Sequence, residues 1–327
     1  MRTPSVPPRT LGSTGLRVSR IGLGLAALGR PSYINVGRAD DLGADRSIAT
    51  FERRCHEMLD AAYAQGIRYV DAARSYGMAE AFLGRWLTSR GLDREDLTVG
   101  SKWGYSYVGD WRIDAPVHEI KDHSVEALRR QIAESRSWLA DRLRLYQIHS
   151  ATLETGVFDD DAVVGELAQL RADGLAIGLS VSGPRQRDTI RRALEIRVDG
   201  INLFQTVQAT WNLLEPSAGE ALADAKAEGC GVIVKEALAN GRLTSRGAPS
   251  PALQEFAEAC GADIAVAAMA AAVAQPWVDV VLSGAVTLEQ LCANLEALDV
   301  VVPTTGLPPI AQPAADYWSH RSTLPWR

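Results

Sequence analysis

The sequence predicts an α/β protein, a single (β/α)8 TIM barrel domain spanning residues 1–327. Short apolar runs alternate with segments of helical periodicity eight times along the chain. This alternation requires parallel strands joined by crossover helices. The length of 327 residues suits a barrel, which usually takes about 250 residues plus insertions, and the 46% apolar content can fill a large core. Eight units favour a closed barrel over an open sheet.

The first half of the chain opens with a predicted hairpin over residues 11–21, where G-S-T-G lies between apolar residues. Apolar runs then predict the strands 21–25, 67–70, 97–102 and 143–149. Helical periodicity, with capping residues at several ends, predicts the helices 50–65, 79–89, 124–139 and 158–173. Two segments lack both patterns and are predicted as loops, 31–49 and 105–116.

The second half continues the alternation. Its predicted strands are 175–180, 200–204, 231–235 and 278–282, and its predicted helices are 189–195, 217–228, 254–260, 264–274 and 288–298. The apolar run 264–274 is too short to span a bilayer, so we expect it to face the core. Residues 1–10 and 303–327 contain several prolines and are predicted as peripheral tails.

Composition narrows the function. A net charge of −6 gives no support for binding nucleic acid or an anionic membrane. The four cysteines are widely spaced, so neither a disulfide framework nor a zinc site is expected. Reduced thiols, and an amino terminus without the apolar core of a signal peptide, predict a cytoplasmic protein. His118 and His123 do not have a face-sharing helical spacing, so no metal site is expected, and the oligomeric state stays open.

Three successive predicted strands end on residues that can move or hold a proton. These residues are Asp71, Lys102 and His149, and Tyr76 follows Asp71 by five positions. Each has a structural explanation when taken singly, since aspartate favours turns and a lysine or histidine can be paired in a core. The carboxyl ends of barrel strands meet at one face, so the joint placement favours a functional site there.

The stretches that carry these residues resemble the aldo-keto reductases, whose catalytic tetrad is Asp, Tyr, Lys and His. The matching motifs are G-I-R-Y-V-D-A-A-R-S-Y-G (66–77), V-G-S-K-W-G (99–104) and L-Y-Q-I-H (145–149), in family order. The resemblance runs from about residue 11 to residue 298. It implies catalytic roles for Asp71, Tyr76, Lys102 and His149. It also implies a hairpin that closes the barrel floor and a carboxyl-terminal tail that folds over the mouth.

The implied activity is reduction of an aldehyde or ketone, from a sugar or a natural product, or the reverse oxidation. Side chains supply no hydride, so a nicotinamide cofactor is required. Tyr76 is the expected general acid, or base in the reverse direction, and Lys102 is expected to lower its pKa. Asp71 would hold Lys102 in an ion pair. His149 would donate a hydrogen bond to the carbonyl oxygen.

NADP(H) is the expected cofactor, with NAD(H) as the alternative. G-L-G-L-A-A-L-G is not a Rossmann fingerprint, but its Gly24 permits a close backbone approach. The aromatic residue that often stacks under the nicotinamide is replaced by Lys235, which could contact phosphate, pair with Glu236 or be structural. The resemblance and the barrel's phosphate-binding loops give the full predicted set: Gly24, Asp71, Ser180, Gln208, Lys235, Leu238, Arg242, Gly284, Gln290 and Asn294.

Aromatic residues predict the substrate wall, although several could equally pack the barrel rim. They are Tyr33, Trp103, Tyr105 and Trp111, with Tyr107 and Trp318 as further candidates. Two other functions stay open at this point. One is a non-catalytic NADP-binding regulatory protein on the same scaffold, and the other is a Schiff-base lyase that uses Lys102.

Overall fold

A computed structural model describes residues 8–304 and 306–326 and contains a closed barrel of eight parallel strands. In chain order, the strands are β1 (Arg9–Thr10), β2 (Arg17–Val18), β3 (Ile21–Gly24), β4 (Tyr69–Asp71), β5 (Thr98–Trp103), β6 (Tyr105–Tyr107), β7 (Glu119–Lys121), β8 (Leu143–Ala151), β9 (Ala176–Val181), β10 (Arg197–Val198), β11 (Ile201–Asn202), β12 (Thr206–Thr210), β13 (Gly231–Lys235) and β14 (Val280–Ser283). The barrel order is β3-β4-β5-β8-β9-β12-β13-β14, and β14 pairs with β3 to close it. The predicted fold class is confirmed.

Helices follow the barrel strands and form the outer layer. They are α1 (Arg38–Leu42), α2 (Ile48–Ala64), α3 (Ala79–Arg90), α4 (Val125–Leu139), α5 (Asp161–Ala172), α6 (Gln186–Leu194), α7 (Gly219–Ala227), α8 (Pro251–Cys260), α9 (Ile264–Val273), α10 (Leu288–Glu296) and α11 (Ala314–Ser322). Several begin at a side chain that accepts a backbone N–H, as Ser47, Ser124, Asp160 and Thr287 do. The main core lies between this layer and the strands.

The floor of the barrel is closed by the hairpin of β1 and β2. Leu11, Leu16 and Val18 are buried there against Tyr69, Leu145, Ile233 and Val280, which point into the bottom of the barrel. The hairpin predicted around residues 11–21 therefore exists, although its first strand starts at Arg9. Of the predicted peripheral tail 1–10, residues 1–7 lie outside the described part of the chain.

The prediction of the sixth barrel strand at 200–204 is wrong. That segment holds only β11, which pairs with β10 in a separate two-stranded sheet, and Ile201 is 58% exposed. The barrel strand is β12, and all five of its residues are buried. Thr206, Gln208 and Thr210 alternate along β12 and are polar although buried, and Gln208 donates to Asp71 in the lumen. An apolar run is therefore a poor guide to this strand.

Three segments predicted without secondary structure contain short elements. Residues 105–116 include β6, which pairs with β7 in an added hairpin, and 31–49 include α1. The tail 303–327 contains α11, whose Tyr317 and Trp318 are buried against the barrel. Among the described residues, no single helix is long and apolar enough to cross a bilayer; α8 and α9 pass together by composition but bend by 74°.

Candidate active site

Three of the predicted catalytic groups lie together at the carboxyl ends of β4 and β5. The Lys102 ammonium donates to Asp71 Oδ2 in a short ion pair, to the carbonyl oxygen of Ala72 at 3.1 Å and to Tyr76 Oη at 3.5 Å. The side chains of Lys102 and Asp71 are 0% and 2% exposed. All three ammonium donors are used, so Lys102 is held in place and directed at the phenol.

Asp71 is the centre of a wider hydrogen-bond network in the barrel lumen. Its Oδ1 accepts from Tyr69 Oη at 3.0 Å, from Gln208 Nε2 at 2.9 Å and from Gln147 Nε2 at 3.5 Å. A buried carboxylate with this many donors is fixed in place. The position of Lys102, and through it of Tyr76, therefore depends on residues from four strands.

His149 near the end of β8 completes the predicted group. Its ring packs edge-on against the Tyr76 ring with centroids 5.4 Å apart, and its Nδ1 lies 3.3 Å from Ser75 Oγ. Burial and then the positive charges of Lys102 and Lys235 keep the pKa of His149 well below its usual value. The imidazole is therefore neutral. With Nδ1 accepting from Ser75, Nε2–H is free to donate to a carbonyl oxygen.

Tyr76 sits in the turn between β4 and α3. Gly77 has φ of +59°, and a Cβ there would come within 2.5 Å of the Gly29 carbonyl oxygen, so this turn packs directly on the loop after β3. Burial and then the Asp71 charge raise the pKa of Tyr76 well above its usual value. This net shift is opposite in direction to the lowering that we expected from Lys102, whose ammonium is paired with Asp71. The phenol is protonated and can act as a donor.

A cavity of about 670 Å³ opens above these groups, within the roughly 300–1,000 Å³ of ordinary ligand sites. Its wall includes Asp71, Tyr76 and His149. It also includes most of the predicted cofactor and substrate residues, namely Gly24, Gln208, Lys235, Leu238, Gly284, Gln290, Asn294, Tyr33, Tyr105 and Trp318. Lys102 lies beneath the cavity, and its ammonium contacts Tyr76, which lines the cavity.

Two predicted substrate residues lie elsewhere. Trp103 is fully buried because adjacent strand residues alternate faces: Lys102 points into the barrel, so Trp103 points into the outer layer. Trp111 packs edge-on against Phe51, and its Nε1 donates to the Arg46 carbonyl oxygen at 2.6 Å. Both residues are structural, and the alternation rule could have excluded Trp103 from the sequence alone.

Two predicted cofactor residues and one further aromatic candidate are also turned away from the cavity. Ser180 is buried and its Oγ accepts the Ser150 N–H at 2.8 Å, so it supports the chain just after His149. Arg242 donates to Gln312 Oε1 at 3.1 Å and lies over the Tyr317 ring, toward the tail. The hydroxyl of Tyr107 accepts the Trp111 N–H within its own hairpin.

The outer rim of the cavity carries an arginine that the sequence did not single out. Arg246 forms a bidentate ion pair with Asp41 at 2.7 and 2.8 Å, and Gln290 Nε2 also donates to Asp41 at 2.8 Å. Nothing in the sequence pattern links Asp41 on α1 to Arg246, since they lie 205 positions apart.

The wall near α10 suits a nicotinamide dinucleotide. A Cβ at Gly284 would meet no atom within 4 Å, so the backbone there borders open space. Asn240 Oδ1 is buried in the wall with no hydrogen-bond partner among the described residues. The N-terminal amides of α10 offer donors to an anion, and Asn294 is held by a 2.8 Å bond to Ser283 Oγ.

The carboxyl-terminal segment forms another part of the wall. Arg321 on α11 pairs with Glu236 at 2.5 Å, directly after β13. Trp326 stacks on His118 with ring centroids 4.6 Å apart. The guanidinium of Arg30 lies over the rings of three wall residues, 4.9 Å from Tyr33, 5.2 Å from Tyr76 and 4.7 Å from Trp326. The helical periodicity of residues 314–322 is the sequence signal that could have predicted α11.

The fold and the site together define a barrel oxidoreductase with its acid–base groups at the mouth. The sequence model of the Aldo/keto reductase family matches residues 20–310. The chain belongs to this family.

Its relatives agree with this assignment. The chain is 26% identical over 324 residues to the uncharacterized oxidoreductase YrpG of Bacillus subtilis, covering 89% of this chain and 90% of that protein. It is 27% identical over 266 residues to L-galactose dehydrogenase of Arabidopsis thaliana, covering 79% and 74%. The holo form of the aldo-keto reductase AKR11C1 from Bacillus halodurans superposes with a TM-score of 0.69 at 22% identity, covering 97% and 96%, which shows the fold alone.

Proposed function

We propose that the protein is an NADP(H)-dependent oxidoreductase that interconverts an aldehyde or ketone and the alcohol. The observation that carries this proposal is the Asp71–Lys102–Tyr76 chain of hydrogen bonds beside a neutral His149 on one cavity wall. A regulatory role on the same scaffold needs none of this arrangement. A Schiff-base role for Lys102 is disfavoured because its ammonium is fully buried and each of its donors is used.

The proposed chemistry divides between two residues. His149 Nε2–H donates to the carbonyl oxygen and stabilises the negative charge that develops there. Tyr76 gives its proton to the same oxygen, and Lys102 stabilises the phenolate that is left. The cofactor, when bound, supplies the hydride that the carbonyl carbon receives. For alcohol oxidation, Tyr76 accepts the proton instead.

The rim supports NADP(H) as the proposed cofactor. Gly284 and Gln290 carry no charge, but Arg246 supplies a cation at the same part of the cavity. Asp41 competes for that cation and could also accept a ribose hydroxyl, which is the observation that favours NAD(H) as the alternative. Sugar carbonyls are the substrates to test first, since one relative is an L-galactose dehydrogenase.

The test is loss of NADPH or NADH absorbance with a panel of aldehydes, aldoses and ketones. Tyr76→Phe is expected to lower turnover by about 10²- to 10⁴-fold while the cofactor dissociation constant stays within about twofold. Tyr63→Phe, on the outer helix α2, is the matched control and should retain full turnover. Cofactor binding without any turnover in the wild type would favour the regulatory alternative. Full activity of Tyr76→Phe would refute the assignment of the acid.

A further inference from the structure

Two lysines on the cavity wall are not paired with a carboxylate. Lys235 ends β13 and Lys121 ends β7, and both line the cavity together with His149. Among the described residues, the only polar partner of the Lys235 ammonium is Ser182 Oγ at 3.2 Å, and the Lys121 ammonium lies 5.4 Å from the centre of the Tyr105 ring. Lys235 is partly buried, and a cation that loses water without gaining a counterion is costly.

The carboxylates nearest to these lysines already hold other cations. Glu236 follows Lys235 in the chain, but its backbone has φ of +56° and its carboxylate accepts from Arg321. Glu154, which is the acid that acts on Lys121, pairs with Arg185 at 3.1 Å. Neither lysine can therefore be neutralised without breaking an existing ion pair.

The other charged residues of the wall balance each other. Arg30 pairs with Glu119 at 2.6 Å, Arg321 with Glu236 and Arg246 with Asp41, and buried Lys102 pairs with Asp71. The described wall therefore carries two positive charges in excess, those of Lys121 and Lys235. Both lie in the part of the cavity that contains His149.

The two lysines approach His149 along different routes. Lys235 donates to Ser182, and Ser182 Oγ donates at 2.9 Å to the Oγ of Ser150, the residue that follows His149. Lys121 lies over Tyr105, whose ring centre is 5.0 Å from that of His149. Ser150 and Thr152 also line this part of the wall and add hydroxyl donors.

We propose that this part of the cavity selects a carbonyl substrate carrying a carboxylate or phosphate group, which Lys235 and Lys121 bind while the carbonyl faces Tyr76 and His149. The inference rests on the proposed function and adds a substrate class to it. A neutral substrate would leave the partly buried Lys235 ammonium without a counterion, whereas an oxyanion compensates the charge of both lysines and uses the surrounding hydroxyls. The cofactor's pyrophosphate is the other source of an oxyanion, and the test below separates the two.

The kinetic test compares 4-carboxybenzaldehyde with 4-methylbenzaldehyde, which differ mainly in charge. Lys235→Met is expected to lower kcat/KM for the carboxylate by about 10- to 100-fold and for the methyl compound by less than about threefold. Lys121→Met should do the same more weakly, because Lys121 is exposed to solvent. Lys235→Arg should restore most of the preference. Arg112→Met, an exposed residue of the same added hairpin, controls for the loss of one positive charge.

Equal losses for both aldehydes in Lys235→Met, with a tenfold weaker NADPH dissociation constant, would assign this lysine to the cofactor and overturn the proposal. Calorimetry on the cofactor-bound protein gives a readout without turnover, using 4-(hydroxymethyl)benzoate against 4-methylbenzyl alcohol. Tighter binding of the benzoate, lost in Lys235→Met, supports the anion site even if no aldehyde is reduced. Equal binding of the two in wild type and variant overturns it, even if turnover is observed.

Discussion

The inner end and the outer rim of the cavity both depend on an acid–base ion pair, but the two pairs are built differently. Asp71 and Lys102 lie on neighbouring strands, with side chains 2% and 0% exposed. Asp41 lies on the short helix α1 and Arg246 lies between β13 and α8, with side chains 11% and 45% exposed. A buried pair cannot be broken without leaving a charge in a low-dielectric interior, whereas a half-exposed pair can exchange one partner for a ligand or water. The inner pair therefore serves as a fixed support, and the rim pair is suited to exchange.

Removing one member of the inner pair should give the largest effect. Lys102→Met leaves the buried Asp71 carboxylate unpaired, so we expect about 3–5 kcal/mol lower free energy of unfolding and at least a 100-fold loss of turnover. Urea denaturation and steady-state kinetics measure both. The double variant Asp71→Asn/Lys102→Met should regain most of the stability and none of the activity. Equal instability of the single and double variants would argue against a buried charge as the cause.

An intermediate effect is expected at the pair that ties the tail to the barrel. Arg321→Met removes the cation from Glu236, whose side chain is 7% exposed, and should cost about 3 kcal/mol of unfolding free energy. It should also raise KM for substrates, because α11 forms part of the wall. Arg112→Met breaks an exposed pair and should change stability by less than about 0.5 kcal/mol. Similar losses of unfolding free energy in Arg321→Met and Arg112→Met would contradict the difference that we expect between buried and exposed ion pairs.

For the rim pair, the comparison predicts a change in affinity for the cofactor with little change in the free energy of unfolding. Arg246→Ala should alter the free energy of unfolding by less than about 1 kcal/mol. If Arg246 binds the 2′-phosphate, KM for NADPH should rise about tenfold while KM for NADH is unchanged, since one charge-assisted contact is lost. An unchanged ratio of the two KM values would instead favour NAD(H) and a ribose contact to Asp41.

The smallest predicted effect is a pH dependence. Burial lowers the pKa of Lys235 to about 8, so its ammonium is present below that pH and is lost as the pH rises through it. The preference for 4-carboxybenzaldehyde should therefore fall severalfold between pH 7 and 9, while kcat/KM for 4-methylbenzaldehyde shows no matching step. Lys235→Met should abolish the difference between the two profiles. No inflection from His149 is expected near pH 6.5, because its pKa lies well below that value.

The inner end was predictable from sequence because rigid strands fix where their last residues lie. Asp71, Lys102 and His149 each end or nearly end a barrel strand, so the topology alone brings them to one face. Gln208 was predicted only from the family resemblance, because β12 itself was missed. Its buried polar side chains do not produce an apolar run.

The individual contacts of the rim and the tail were not predictable, because these contacts depend on loop conformation. Arg242 and Arg246 lie four positions apart, and only the chain's path after β13 sends one to the tail and the other to Asp41. Glu236 follows Lys235 in sequence, yet its left-handed backbone directs it to Arg321 on a helix that was predicted as a tail. Contacts between residues so far apart in the sequence leave no local sequence pattern that could predict them.

Arg30 connects the carboxyl-terminal segment to the Tyr76 side chain, although it is not one of the predicted catalytic groups. Its guanidinium lies over both the Tyr76 ring and the indole of Trp326 near the end of the chain. Any movement of that indole when a ligand enters or leaves changes what the arginine touches, and hence the electrostatic surroundings of the phenol. The position of the carboxyl-terminal indole and the charge beside the Tyr76 ring are thus linked through a single side chain.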